Sequence, residues 1–351
     1  MNINDLIAAF GVIINGIPQA LLALTYGFAA FPTALGFFMG AIACAILGSG
    51  IPISMQAETI ALAGTMGRNI QERLSMVFYA GVIMTILGFT GVLSNIVDLA
   101  GERIINGMMA GVGIMLTKIA VSGMGAHPGI TSISILTALF TYFLSGKNLV
   151  YTICTSVVIA TIYANITKKE IGGLIQEEQR KLKIQKPILN LNIVRGSLAL
   201  ACLTIGANIA FGNITAGLGE GMTVNVDHLT IYSGLADSVS SLFGGAPVES
   251  IISATGAAPN PVTSGIIMMV GMGIILLLGL LPKIGKYVPG ESIYGFLFVL
   301  GAIVTVPANA GAAFTGATGS EPIIAGVAMA VTAATDPFFG LFAGILLKLF
   351  I

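Results

Sequence analysis

Apolar runs separated by short polar or glycine- and proline-containing breaks fill almost the whole chain. A membrane-spanning helix takes about 20 apolar residues. On that measure the pattern predicts spans near 5–27, 31–50, 74–98, 103–124, 128–146 and 148–165. After a polar stretch come spans near 193–212, 229–243, 262–282, 290–308, 319–334 and 335–351. Two further stretches, 51–66 and 246–258, are too short and too polar for ordinary spans.

Those two stretches look like copies of one device. The first reads Gly48-Ser49-Gly50-Ile51-Pro52-Ile53-Ser54-Met55-Gln56-Ala57-Glu58-Thr59. The second reads Gly244-Gly245-Ala246-Pro247-Val248-Glu249-Ser250-Ile251-Ile252-Ser253-Ala254-Thr255-Gly256. Each has a glycine-rich approach, one proline, then polar residues that include a carboxylate. Paired interruptions at corresponding positions of two halves point to the binding site of a secondary transporter. Proline suits the first turn of a helix. A half-helix that begins inside the membrane directs unpaired N–H groups and its positive end into the protein. Irregular backbone of this kind is tolerated at membrane depth only where protein buries it or a cavity adjoins it.

Counted as broken helices, the two stretches complete an all-α integral membrane protein of about 14 transmembrane segments. The segments form a 7+7 inverted repeat, because an odd number per half brings the second half in from the opposite side. The first repeat covers 1–165 and the second 193–351, with a polar linker over 166–192 rich in lysine and glutamate.

Composition supports the membrane reading. The chain is 56% hydrophobic and only 9% charged, against about 25% charged in soluble domains. Its 15 basic and 15 acidic residues balance, so no nucleic-acid surface is indicated. Cys44, Cys154 and Cys202 lie in apolar runs without metal-ligand spacing and read as buried small side chains. No Walker A sequence and no GxGxxG turn is present, so no cofactor or ATP site is expected. The start Met1-Asn2-Ile3-Asn4-Asp5 lacks the basic region of a cleaved signal peptide.

The ionisable residues at membrane depth carry the functional expectation, since such residues are costly and face the bundle interior. A carboxyl left unpaired in apolar surroundings holds a proton, which couples ligand affinity to a proton gradient. Glu58, Glu249 and Asp237 are the proton-coupling candidates. Glu58, Glu249, Ser54, Gln56, Ser250, Ser253 and Thr255 are expected to bind substrate, with first-helix Gln19 and Asn208 facing them. Lys118 reads as a snorkelling side chain, and His127 and His228 read as loop residues.

Gly16-Ile17-Pro18-Gln19 through Phe31-Pro32, Val97-Asp98 through Gly113, Leu235-Ala236-Asp237 through Pro247, and Val288-Pro289-Gly290-Glu291 resemble segments of the nucleobase–ascorbate transporters. That family is also called nucleobase:cation symporter-2 and includes xanthine, uracil and purine permeases. The resemblance implies that each broken segment combines a short strand with a half-helix, and it implies symport of a nucleobase with a proton or sodium ion across the cell membrane and a tendency to form a homodimer. It also implies a substrate-binding glutamate six residues after Pro247, where this chain has Ser253; Ala20 stands in place of a first-helix histidine. The resemblance places the N-terminus in the cytoplasm, whereas the distribution of lysine and arginine favours the reverse.

Three other classes compete. An anion transporter of the sulfate/bicarbonate type would use the same half-helix ends but without carboxylates in its pocket. A channel needs a continuous polar stripe, which the sequence does not display. An enzyme needs a nucleophile with its base or clustered metal ligands, and the two histidines are scattered.

Overall fold

The computed structural model describes residues 2–167, 182–219, 222–285 and 287–351. Helices dominate. The first half holds α1 (Ile3–Thr25), α2 (Ala30–Leu47), strand β1 (Ile53–Ser54), α3 (Ala57–Met66), α4 (Ile70–Thr90), α5 (Val92–Ala100), α6 (Glu102–Ala126), α7 (Pro128–Leu144) and α8 (Leu149–Ile166). The second half opens with α9 (Leu191–Gly217), α10 (Val226–Leu242) and strand β2 (Glu249–Ser250), followed by a 3-10 turn (Ala254–Ala257). It continues with α11 (Pro261–Leu277), α12 (Leu280–Gly285), α13 (Tyr294–Phe298) and α14 (Val306–Phe314), the last two joined by a π-helical stretch (Val299–Thr305). The chain ends in α15 (Glu321–Ala334) and α16 (Pro337–Phe350).

Among the described residues, six helices are long and apolar enough to cross a membrane, and five shorter apolar helices accompany them. The chain is a multi-pass membrane protein with seven principal segments per half. Both interruptions appear where the sequence placed them. The first is a strand followed by a ten-residue half-helix, α3. The helical part of the second is a single 3-10 turn. Pro259 and Pro261 explain the short turn: each lacks an N–H, and each disfavours helical geometry in the residue before it.

The chain divides into two compact units. One comprises Met1–Asn95 with Glu177–Lys283, the other Ile96–Gln176 with Ile284–Ile351. The two sequence repeats therefore interleave: each gives its first four principal segments to one unit and its last three to the other. Of the linker, residues 168–181 lie outside the described residues, and 182–190 form neither helix nor strand. This irregular part is tied to the first unit, where Gln185 N–H donates to Leu242 O (2.7 Å) and Ile188 N–H to the Ser75 hydroxyl (3.0 Å).

Close backbone approach builds the first unit. α10 packs on α4 and α2, α11 on α2 and α1, and α9 on α4. At the α4–α10 contact, a Cβ on Gly81 would stand 2.6 Å from Gly234 O, and one on Gly234 would stand 2.6 Å from Gly81 O. Apolar association in lipid depends on such small-residue contacts. In the second unit α6 is the centre, packed by α13, α14, α15 and α16. There the Arg103 guanidinium donates to Ala312 O (2.7 Å) and Thr315 O (2.8 Å) at the end of α14.

Candidate functional site

β1 and β2 pair antiparallel, with Ile53 opposite Ser250 and Ser54 opposite Glu249. This pairing joins the two interruptions inside the first unit, and an inverted repeat requires that antiparallel sense. Left-handed glycines make the approaches possible: Gly48 caps α2 at φ 63°, and Gly244 follows α10 at φ 99°.

Side chains from the neighbouring helices satisfy the irregular backbone. The Tyr232 hydroxyl donates to Ile51 O (2.5 Å) and touches the Ser49 hydroxyl (3.0 Å). Ser240 donates to Ala246 O (2.6 Å), and Ala246 N–H donates to the Thr33 hydroxyl (2.8 Å). Thr215 of α9 donates to Ile251 O and accepts from Ser253 N–H, both at 3.0 Å.

Gln56 is the N-cap of α3, yet its side chain makes no cap bond. It donates instead to Ser250 O across the strand pair (3.2 Å) and accepts from the Thr59 hydroxyl. Glu58 follows in the first turn, 4% exposed. The positive end of α3 thus faces the strand pair with a carboxyl already beside it.

The second carboxyl cluster lies on the Glu249 side. The Thr204 hydroxyl on α9 donates to Glu249 Oε1 at 2.6 Å. Asp237 on α10 accepts from Val248 N–H at 2.6 Å through Oδ1, which brings its carboxyl beside that of Glu249. Glu249 Oε2 and the Ser250 hydroxyl are buried with no donor–acceptor partner among the described residues.

The structure therefore brings Ser54, Gln56, Glu58, Asp237, Glu249 and Ser250 together around the strands. Ser253 and Thr255 bond each other (2.7 Å) in the 3-10 turn. Asn208 bridges α9 to α10 through Thr230 (3.0 Å) and Ser233 (3.4 Å). Gln19 lies on α1, which packs on α3; its Oε1 is buried without a partner. Sequence reasoning missed Thr204, Thr215 and Asn15. Asn15 shares a helix face with Gln19 at a spacing of four, and its Oδ1 is likewise buried without a partner. That spacing was the available signal.

One observation differs from the sequence expectation about stripes. Thr230, Ser233, Asp237, Ser240 and Ser241 form a buried polar face along α10. Ser233, Ser240 and Ser241 donate to backbone carbonyls, so the face is closed by its own hydrogen bonds rather than lining a pore. His127, expected in a loop, links α6 to α7, and its Nε2 lies 3.3 Å from the Glu291 carboxyl in the second unit.

Comparison with solved structures decides the fold. The chain is similar to the transmembrane domain of a cyanobacterium bicarbonate transporter, BicA, with a TM-score of 0.74 and 15% identity over 97% of this chain and 96% of that one. It is also similar to the murine Solute Carrier 26 family member A9 anion transporter in the inward-facing state, with a TM-score of 0.72, 15% identity, and 99% of this chain and 68% of that one covered. A second SLC26A9 structure gives a TM-score of 0.71 at 13% identity, over 99% and 64% of the two chains. No protein-family model and no curated protein matches.

These neighbours overturn the resemblance to nucleobase–ascorbate transporters. The quoted motifs are glycines, prolines and small residues at helix starts and breaks. The backbone of the broken segments demands them whatever the cargo, so they report architecture and not substrate.

Proposed function

We propose that the protein is a secondary active transporter for a small inorganic anion of the bicarbonate or sulfate class, moved together with a proton. The observation that carries this reading is the whole-chain likeness to the transmembrane domain of BicA, a bicarbonate transporter. The positive end of α3 supplies the attraction for the anion, with Gln56, Ser54 and Ser250 as polar contacts. No lysine or arginine stands among these residues, while Glu58, Asp237 and Glu249 bring three carboxyls to the strands and the first turn of α3. An anion is repelled by ionised carboxylates at this depth, so its arrival requires that protons accompany it. That requirement supplies the coupling. A sodium ion in place of the proton would have to be coordinated by the same carboxyls.

The test is uptake into liposomes reconstituted with the purified protein, using bicarbonate, sulfate, chloride and a nucleobase control, with and without an inward proton gradient. Uptake of one anion that the gradient accelerates supports the proposal. Anion uptake indifferent to pH but dependent on sodium would replace the proton, and the absence of any anion uptake would sink the reading.

A further inference from the structure

We propose that Asp237 and Glu249 share a single proton and that this proton holds β2 against α10. The inference rests on the transporter reading above and names the pair through which its proton travels.

Three contacts place the proton. Val248 N–H donates to Asp237 Oδ1 at 2.6 Å, which occupies that oxygen as an acceptor. The Thr204 hydroxyl has one hydrogen and two acceptors in reach, Glu249 Oε1 at 2.6 Å and Leu200 O at 3.0 Å; the shorter contact takes it. Glu249 Oε2 is then the carboxyl oxygen that no donor faces, while the Asp237 carboxyl is its neighbour. Two carboxyl groups in contact cannot both be ionised, and a proton between them converts repulsion into a hydrogen bond.

No cation substitutes for that proton. α2 and α11 carry no charged residue, and α10 has only Asp227 besides Asp237. The charged residues of α4, Glu72 and Arg73, lie two turns before Gly81, the residue that meets the Asp237 Cβ. The charged residue of α9 is Arg195, nine positions before Thr204. α1 and α3 contribute Asp5 and Glu58. The remaining titratable groups of the packed helices are Cys44, Tyr79, Cys202, Tyr232 and His228; Tyr232 is engaged with Ile51 O. The pair's location gives its proton leverage. Asp237 holds Val248 N–H directly before β2, and Glu249 is the residue of β2 that pairs with Ser54. Loss of the proton sets two negative charges against each other across that joint and loosens the strand pair.

The experiment is infrared spectroscopy of the purified full-length protein through a pH titration, with wild type beside Glu249→Gln and Thr204→Val, and hydrogen exchange at Val248 N–H. The expected result is a protonated-carboxyl C=O band that Glu249→Gln removes and Thr204→Val shifts. In wild type, alkaline titration removes that band, and Val248 exchange rises relative to a buried helix amide such as that of Ala61. This wild-type measurement keeps the test valid if a variant misfolds. A spectrum with no band sensitive to Glu249→Gln overturns the proposal, as does a band that sodium abolishes at constant pH. Anion uptake without the band rejects the shared proton and leaves the transporter standing; the band without anion uptake does the reverse.

Discussion

Thr204 and Glu249, 45 positions apart, meet through a 2.6 Å hydrogen bond that fastens β2 to α9. Thr204 is the one donor that faces Glu249 Oε1 among the described residues. Thr204→Val keeps the shape and deletes the hydroxyl, leaving a buried carboxyl oxygen unmatched at a cost of about 1–3 kcal/mol. Thr204→Ser should recover most of that loss. Thermal unfolding of both variants in detergent checks the order.

The α4–α10 contact tolerates no methyl group. Gly234→Ala would drive a Cβ against Gly81 O and Thr85 N, and overpacking of this kind costs about 1–3 kcal/mol or more. Gly11→Ala on α1 meets nothing within 4 Å, and alanine is the better helix former by about 1 kcal/mol. Melting temperatures should therefore move in opposite directions. Equal destabilisation by the two substitutions would argue that α4 and α10 are not in backbone contact.

The chain's hydropathy was enough to count segments, and glycine–proline punctuation was enough to locate both breaks. Pro52 and Pro247 mark them, and β1 and β2 follow each proline. What the sequence could not supply was the partner of each polar group. Nothing local in Thr204 or Thr215 says that one bonds Glu249 and the other Ile251; those contacts exist only because α9 lies against both strand and turn. Ser253 and Thr255 read as pocket residues because a half-helix was expected there, yet Pro259 and Pro261 cut the helix to one turn, and the hydroxyls bond each other. The family resemblance misled for a related reason. Motifs such as Gly16 through Pro32 specify how α1 and α2 approach the breaks, and unrelated cargoes can share them.

If an anion approaches the positive end of α3, Glu58 is its competitor. The carboxyl occupies the first turn and is 4% exposed. Glu58→Gln keeps the hydrogen-bonding shape and removes the charge, so anion affinity at alkaline pH should rise about tenfold, equal to about 1.4 kcal/mol of relieved repulsion. The proton dependence of binding should flatten with it. Isothermal titration with bicarbonate and sulfate at two pH values reads both effects. Weaker binding in the variant would make Glu58 a ligand contact instead.

Thr215 does for the second break what a helix does for the first. Ile251 O and Ser253 N–H belong to backbone that would be satisfied within a half-helix, and here both bond to the Thr215 hydroxyl, once as acceptor and once as donor. A single hydroxyl that serves both directions cannot be replaced by a methyl group without orphaning two backbone groups. Thr215→Val should therefore cost more than Thr204→Val, about 2–4 kcal/mol if each orphaned group contributes about 1–2 kcal/mol, and Thr215→Ser should cost little. The damage should also be local. Exchange at Ser253 N–H should accelerate while Val248 N–H, held by Asp237, keeps its protection. Parallel acceleration at both amides would mean that the break unfolds as one unit, and Thr215 would then support the strand pair as well as the turn.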